Sequence, residues 1–441
     1  MSLLLHSGWI VTMDDAGSEH PDGWVLVEDG RVASTGSGEP PAADERVDLH
    51  GAVVTPGLVN SHHHLWQNLT RARAQDGTLF EWLVECYPIW ARLDAAAEYA
   101  AARAGIAELA LSGCTTVFDH HYLFPPGVEG VLDAELEAAR GLGVRLVASR
   151  GSMDLGESQG GLPPDSVVEE LDAILADTER AAGLQDADGM LQVVAAPCSP
   201  FSVTKRLMVE SAELARKLGL KLHTHLAETV EEDAYCLELY GCRPVEYLAE
   251  VGWLDGDVWC AHCVHLSDAD ISTFAERGVG VAHCPSSNLR LGAGVARVRE
   301  LLDAGVRVGL GVDGSASNER GDLFGEVKQA LLCARGRGGP RAMSAREAIR
   351  LGTRGGASLL GRDDLGSLEP GKRADLAVWA VDGLEAGGAD DRVANLVFSG
   401  PHRVDRLYVA GDEVVRDGRL VRADEAEIAK EHRAQARRFA G

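Results

Sequence analysis

Short apolar runs, each closed by a turn signal, recur through the middle of the chain at 58–62, 115–119, 144–149, 191–197, 220–225, 258–262, 279–283 and 306–313. Most are nearly continuous, as in Leu191-Gln192-Val193-Val194-Ala195-Ala196, the pattern of parallel strands covered on both faces. Between them apolar residues recur three and four apart over 128–142, 165–182, 205–218, 230–251, 268–277 and 296–304, which predicts helices. Gly143, Gly219, Gly278 and Gly305 follow four of these segments as stop signals. Eight strands alternating with helices predict an α/β protein built on a (β/α)8 barrel. The flanks differ. Short alternating strands separated by acidic turns fill 1–57, as in Trp24-Val25-Leu26-Val27 before Glu28-Asp29-Gly30. The same style returns at 370–421 with Asp375-Leu376-Ala377-Val378-Trp379. Neither flank alone could bury a core, so 1–57 and 365–441 are expected to join in one small β-sandwich, with 58–364 as the barrel between them.

Composition narrows the function classes. The chain has 441 residues, with 42 basic and 68 acidic side chains and a net charge of −26. Nucleic acid is excluded as a partner, because phosphate neutralisation needs Lys and Arg clusters; an anionic membrane surface is disfavoured for the same reason. A hydrophobic fraction of 45% excludes a disordered acidic chain. No apolar run reaches the roughly 18 residues of a membrane span, and the opening Met1-Ser2-Leu3-Leu4-Leu5-His6 lacks the basic flank of a signal peptide. Nine cysteines are too few for a disulfide scaffold. A soluble cytoplasmic protein is expected, with a homo-oligomer compatible.

Ten of the 15 histidines fall in five short clusters, each at the end of an apolar run: His62, His63 and His64; His120 and His121; His223 and His225; His262 and His265; His283. In a parallel barrel the carboxyl ends of the strands carry function. Side-chain alternation puts His62 and His64 on one face and His63 on the other. With His223, His225, His262 and Asp313 at other strand tips, three or four imidazoles and one carboxylate converge on one mouth. That donor set suits a divalent transition metal. One metal is expected rather than two. Two-metal barrel hydrolases commonly bridge their ions with a modified lysine near strand four, and none of the six lysines lies between Leu191 and Pro200.

Competing motifs are weaker. Gly309-Leu310-Gly311-Val312-Asp313-Gly314 matches the dinucleotide glycine pattern, but Asp313 would face the pyrophosphate. Cys260-Ala261-His262-Cys263 has no second pair. Pro197-Cys198-Ser199-Pro200 lacks the second cysteine of the zinc nucleobase-deaminase signature.

A bound metal lowers the pKa of its water from 15.7 to about 7. Attack of the resulting hydroxide on an sp² carbon then needs a proton donor and a base. Glu228, three residues after His225, is placed to donate; Asp313 can ligate the metal and take the water's proton; His262 can steady the reacting oxygen. Nine of the 23 aromatic residues lie within 66–124, faces on which a planar ring can stack. Trp90 is one of them, and Gln67 beside Trp66 offers a paired donor and acceptor.

The segments Pro56-Gly57-Leu58-Val59-Asn60-Ser61-His62-His63-His64, His225-Leu226-Ala227-Glu228, Ala261-His262-Cys263-Val264-His265-Leu266, Ala282-His283-Cys284-Pro285-Ser286-Ser287-Asn288 and Val312-Asp313-Gly314-Ser315-Ala316-Ser317-Asn318 resemble the amidohydrolase superfamily. The likeness is to its mononuclear nucleobase-deaminase and s-triazine-hydrolase branch. It implies His62, His64, His225 and Asp313 as metal ligands, one zinc (iron the alternative), and Glu228 and His262 as the proton-handling pair, with Asp313 also catalytic. Arg150, His265 and His283 join Gln67 and Trp90 as expected substrate contacts. The implied activity is release of ammonia from a small heterocycle, 8-oxoguanine or a related oxopurine or pterin. An s-triazine or other N-heterocycle with a different leaving group is the alternative.

Overall fold

The computed structural model describes residues 2–400 and 403–440. Eight parallel strands close into a barrel: Leu58–Asn60, Cys114–Asp119, Arg145–Ser152, Leu191–Pro197, Lys221–Leu226, Val258–His262, Gly280–His283 and Val308–Leu310. Nearly every strand residue is buried, as expected of parallel strands covered on both faces. The lower interior is filled by Val59, Phe118, Val147, Val194, Trp259 and Ala282 from six strands, closed by Leu359, Leu360 and Leu365. His223 sits on this layer, its ring 4.8 Å from Phe118 and 4.6 Å from Trp259. Apolar packing thus supplies the floor on which the histidines stand.

The glycines of the 309–314 pattern serve close packing. A Cβ on Gly309 would lie 2.8 Å from Leu359 Cδ1, and one on Gly311 would lie 2.6 Å from His62 Cβ. The last strand must pass that near its neighbours for the barrel to close. It ends at Leu310, short of the expected 313, because the chain turns outward through Asp313 at φ +63°. The helix expected over 230–251 is two, Val230–Tyr240 and Pro244–Glu250, divided by Gly241 in the left-handed region and by Pro244. The segment 165–182 opens with a separate turn, Asp165–Val167, before the helix Leu171–Ala182.

Strands from both flanks pair as anticipated, in one continuous sheet of nine strands. Val53–Pro56 runs antiparallel to Leu376–Trp379 at its centre. The sheet folds over its own core of Leu5, Val25, Val27, Val54, Leu376 and Tyr408. One edge folds back onto the approach to Leu376–Trp379, where Val32 N donates to the Lys372 carbonyl and Ala374 N to that of Gly30, both at 2.9 Å. The last helix, Glu425–Ala440, leaves this sheet for the barrel wall, where His432 Nε2 donates to the Asn68 carbonyl and Arg438 pairs with Asp94.

Barrel and sheet are joined by a buried ion pair. The Arg145 guanidinium, fully buried, donates to the Asp375 carboxylate and also to Thr116 Oγ1 and the Gly189 carbonyl. Asp375 in turn accepts from Ala410 N. Removing one partner strands the other charge away from water, so Asp375→Ala should cost about 3–5 kcal/mol. Denaturant unfolding of the variant measures it; a loss under about 1 kcal/mol, the range of exposed pairs, would show that the pair does not hold the two parts together.

Candidate metal centre and active site

Hydrogen bonds to atoms that can only accept fix the tautomers of the histidines at the barrel mouth. His64 Nδ1 lies 2.8 Å from the His120 carbonyl and His225 Nδ1 lies 2.7 Å from that of Cys198. His223 Nδ1 donates to the Trp259 carbonyl at 2.9 Å. The other nitrogen of His223 therefore accepts, and His62 Nδ1 donates to it at 2.9 Å. Each of His62, His64 and His225 is left with a bare Nε2, and the three point toward one another. His64 Nε2 and His225 Nε2 are 3.1 Å apart, and His62 Nε2 has no hydrogen-bond partner. Asp313 Oδ1 faces His62 Nε2 at 3.4 Å and His64 Nε2 at 3.3 Å. Acceptors converging in a buried site repel unless a cation lies among them. Three imidazole nitrogens and a carboxylate fit a divalent transition metal. His120, stacked 4.6 Å from His225 with its Nδ1 unpartnered, belongs to the same group.

Electrostatics agree with neutral imidazoles. Burial pushes His62 down to about 3 and His225 well below its usual value. Burial alone would raise Asp313; positive charge on the facing groups, His262 among them, holds it well below the ordinary carboxylate range. Ser287 and Ser317 hydroxyls donate to its other oxygen at 2.5 and 3.1 Å.

Glu228 lies on the opposite side of the mouth. The backbone amides of Ala227 and Glu228 donate to the Glu232 carboxylate at 2.8 and 3.0 Å, which pins the turn after the fifth strand. Glu228 Oε1 is unpartnered, and Oε2 stands 3.6 Å from His262 Nε2. Burial pushes its carboxyl up to about 7, so it holds a proton near neutrality. His262 Nδ1 contacts Asn288 Oδ1 at 2.9 Å. Burial opposes its protonation, while negative charge on Glu228, once that carboxyl has given up its proton, and on Asp313 raises it overall. Ala227, His262, Cys263 and Asp313 all have positive φ, from +50° to +68°. Such strain, about 1–3 kcal/mol per residue, collects where geometry is held for function.

A cleft opens above these groups, lined by His64, Gln67, Tyr122, Glu228, His262 and Asp313. The helix Leu79–Trp90, started by a Thr78–Glu81 capping box, lays Leu79, Trp82, Leu83 and Tyr87 along its inner face. Trp82 Nε1 ties that helix to the Ala316 carbonyl. Gln67 reaches the cleft with an unpartnered Oε1, close against Gly314, where a Cβ would lie 1.9 Å away.

Of the expected substrate contacts, Gln67 alone lines this cleft. Trp90 stands behind it, its indole donating to Thr70 Oγ1 and its ring meeting Trp82 and Tyr87 edge-on. Arg150 is turned away, held by Glu169 and Asp177 over the Phe124 ring. His265 donates to the Ala293 carbonyl, and His283 is buried with both nitrogens unpartnered. The linings Cys198, Phe201, Leu291 and Ser317 were not singled out from the sequence, nor were Glu232 and Asn288. Gly156-Glu157-Ser158-Gln159-Gly160 has the spacing of a serine-nucleophile elbow. It forms a short turn, Glu157–Gln159, with no residue in the cleft, and Ser158 donates to Asp165.

Comparison with known proteins adds independent evidence. The chain is 46% identical over 422 residues to 8-oxoguanine deaminase of Pseudomonas aeruginosa, covering 94% of each chain. It is 39% identical to an isoxanthopterin deaminase of an unknown prokaryotic organism, over 97% of this chain and 93% of that one. The crystal structure of atrazine chlorohydrolase from Arthrobacter aurescens TC1 complexed with zinc superposes with a TM-score of 0.93 at 34% identity, over 98% of this chain and 100% of that one. Residues 53–414 match the model of the amidohydrolase family, and the chain belongs to that family.

Proposed function

We propose that the protein is a metal-dependent aminohydrolase that replaces the exocyclic amino group of an oxopurine with oxygen, 8-oxoguanine being its substrate. The observation that carries the reading is the pairing of a proton-bearing Glu228 with the bare nitrogens of His62, His64 and His225 and the Asp313 carboxylate across one aromatic cleft. His62, His64, His225 and Asp313 would hold the ion, zinc in this proposal, since a solved relative is complexed with zinc. When bound, such an ion lowers the pKa of a water to about 7 and so supplies the nucleophile.

The chain's own residues carry the rest. Asp313, kept ionised, accepts the proton that the water gives up. Glu228 delivers its proton to the ring nitrogen beside the attacked carbon, and His262, fixed by Asn288, hydrogen-bonds the incoming oxygen. Asp313 passes the water's first proton to the amino group, which leaves as ammonia, while the hydroxyl on the attacked carbon becomes a carbonyl and its proton returns to Glu228. Trp82, Tyr87 and Tyr122 present ring faces and edges for stacking, and Gln67 reads an amide edge. The negative net charge favours a neutral free base over a nucleotide. The relatives named for 8-oxoguanine and isoxanthopterin support this substrate class. The fold shared with an atrazine chlorohydrolase favours one second reading, hydrolysis of an s-triazine. We place the enzyme in the cytoplasm, where its nine free cysteines stay reduced.

Three outcomes are expected. His225→Ala should lose the metal and the activity while the barrel stays folded, since strand-tip residues lie outside the packed interior; metal analysis beside circular dichroism decides, and full activity without metal would overturn the ligand assignment. Glu228→Gln keeps shape but cannot transfer a proton, so kcat should fall by about 10²–10⁴ with metal content unchanged. A loss below threefold would place the proton donor elsewhere. In an ammonia-release screen 8-oxoguanine should exceed guanine by roughly 10–100-fold, because a polar group built to meet the C8 oxygen is stranded by guanine. Equal turnover of guanine, or activity confined to triazines, would sink the oxopurine reading.

A further inference from the structure

A second group of ionisable side chains lies behind the metal centre and takes no part in the reaction above. Glu98 is on the helix Ala95–Leu111, Glu135 on the helix Val131–Leu142, and His121 just beyond the strand Cys114–Asp119. All three are fully buried, and each offers a ligand atom within 4.8 Å of the others. Both carboxylate oxygens of Glu98, both of Glu135 and Nδ1 of His121 have no hydrogen-bond partner. Asp119 borders the group. One of its oxygens accepts from Leu65 N at 2.7 Å, and the other is unpartnered.

The tautomer of His121 decides what this arrangement can hold. Its Nε2 donates to the Leu123 carbonyl at 2.9 Å, so the neutral ring turns the bare Nδ1 toward Glu98, 3.8 Å away, and Asp119, 3.7 Å away. Those separations are too long for hydrogen bonds. For Glu98, His121 and Asp119 they match ligand atoms that share one ion, since atoms each about 2.0–2.2 Å from a metal lie roughly 3–4 Å from one another, and Glu135 offers an oxygen within 4.8 Å of Glu98 and His121. Buried carboxylates with bare oxygens gathered around a bare imidazole nitrogen are strongly unfavourable as anions without positive charge. A divalent ion offsets both glutamates and satisfies the imidazole at once. We propose that Glu98, His121 and Glu135, with Asp119 beside them, form a second, structural site for a divalent transition-metal ion.

The position explains its use. The site ties two helices of the barrel wall to the tip of the second strand, and the residue between Asp119 and His121 is His120, whose carbonyl fixes the tautomer of His64. The Trp66 ring packs 4.8 Å from His121 and 5.1 Å from His64, bridging the two centres. None of the four residues lines the cleft, so the ion has no route to substrate. It acts by holding the wall from which the catalytic ligands project.

The proposal does not rest on the reaction assigned above. The test uses the full chain, stripped with chelator, reloaded with zinc chloride alone, dialysed and measured by mass spectrometry for metal. Wild type should keep about two zinc ions per chain and Glu135→Gln about one, with an anomalous peak among Glu98, His121 and Glu135 in wild-type crystals. About one ion in both proteins, or about two in both, would refute the second site. So would a crystal without that peak in which Glu98 and Glu135 share a proton through a short carboxyl–carboxyl contact. Should Glu135→Gln fail to fold, the wild-type anomalous map decides alone. One ion with full ammonia release would remove this site and leave the assigned reaction standing.

Discussion

Everything at the barrel mouth depends on where three imidazole protons point. Backbone carbonyls of His120 and Cys198, and the ring of His223 backed by the Trp259 carbonyl, claim Nδ1–H of His64, His225 and His62. A carbonyl cannot donate, so the opposite nitrogens have no choice but to stay bare. Burial reinforces this by removing the protonated state, as at His62. The outer partners of metal-binding histidines commonly set tautomer and ring orientation in this way. Here two of them are main-chain carbonyls at strand ends and the third is the ring of another histidine.

That arrangement has a local cost. Where strands end at the mouth, the chain adopts left-handed turns at Ala227, His262, Cys263 and Asp313, none of them glycine. Neighbouring side chains hold these turns: Glu232 grips the amides at 227 and 228, Asn288 meets His262, and Ser287 with Ser317 meets Asp313. A rigid mouth of this kind needs little rearrangement when a flat ring enters.

Much of the architecture was readable because parallel barrel strands are covered on both faces and so write themselves as uninterrupted apolar runs. Leu191–Pro197 and Val258–His262 lie where the pattern puts them. The convergence of His62, His64, His225 and Asp313 followed from strand tips sharing one end of a barrel. The cleft lining did not follow, because Cys198, Phe201 and Leu291 reach it through loops whose return path leaves no periodic trace. Arg150 misleads for a related reason. An arginine at a strand end looks poised for substrate, while the acids that neutralise it, Glu169 and Asp177, lie in a later segment. Periodicity also ran straight through Gly241 and Pro244 and merged two helices into one. Glu98 and Glu135 were invisible as a pair, since acids in amphipathic helices ordinarily face water.

The nine-stranded sheet has a bearing on how the protein is made. Its central pairing joins Val53–Pro56 to Leu376–Trp379, segments separated by the entire barrel. During synthesis the first five strands emerge with their central edge unpaired and exposed, an invitation to wrong association. They must wait for more than three hundred residues to leave the ribosome before their partners exist. At about 5–20 residues per second, that is tens of seconds in which the barrel can form first. The closing strands then dock on a finished scaffold, and Asp375 meets Arg145 as the final clasp.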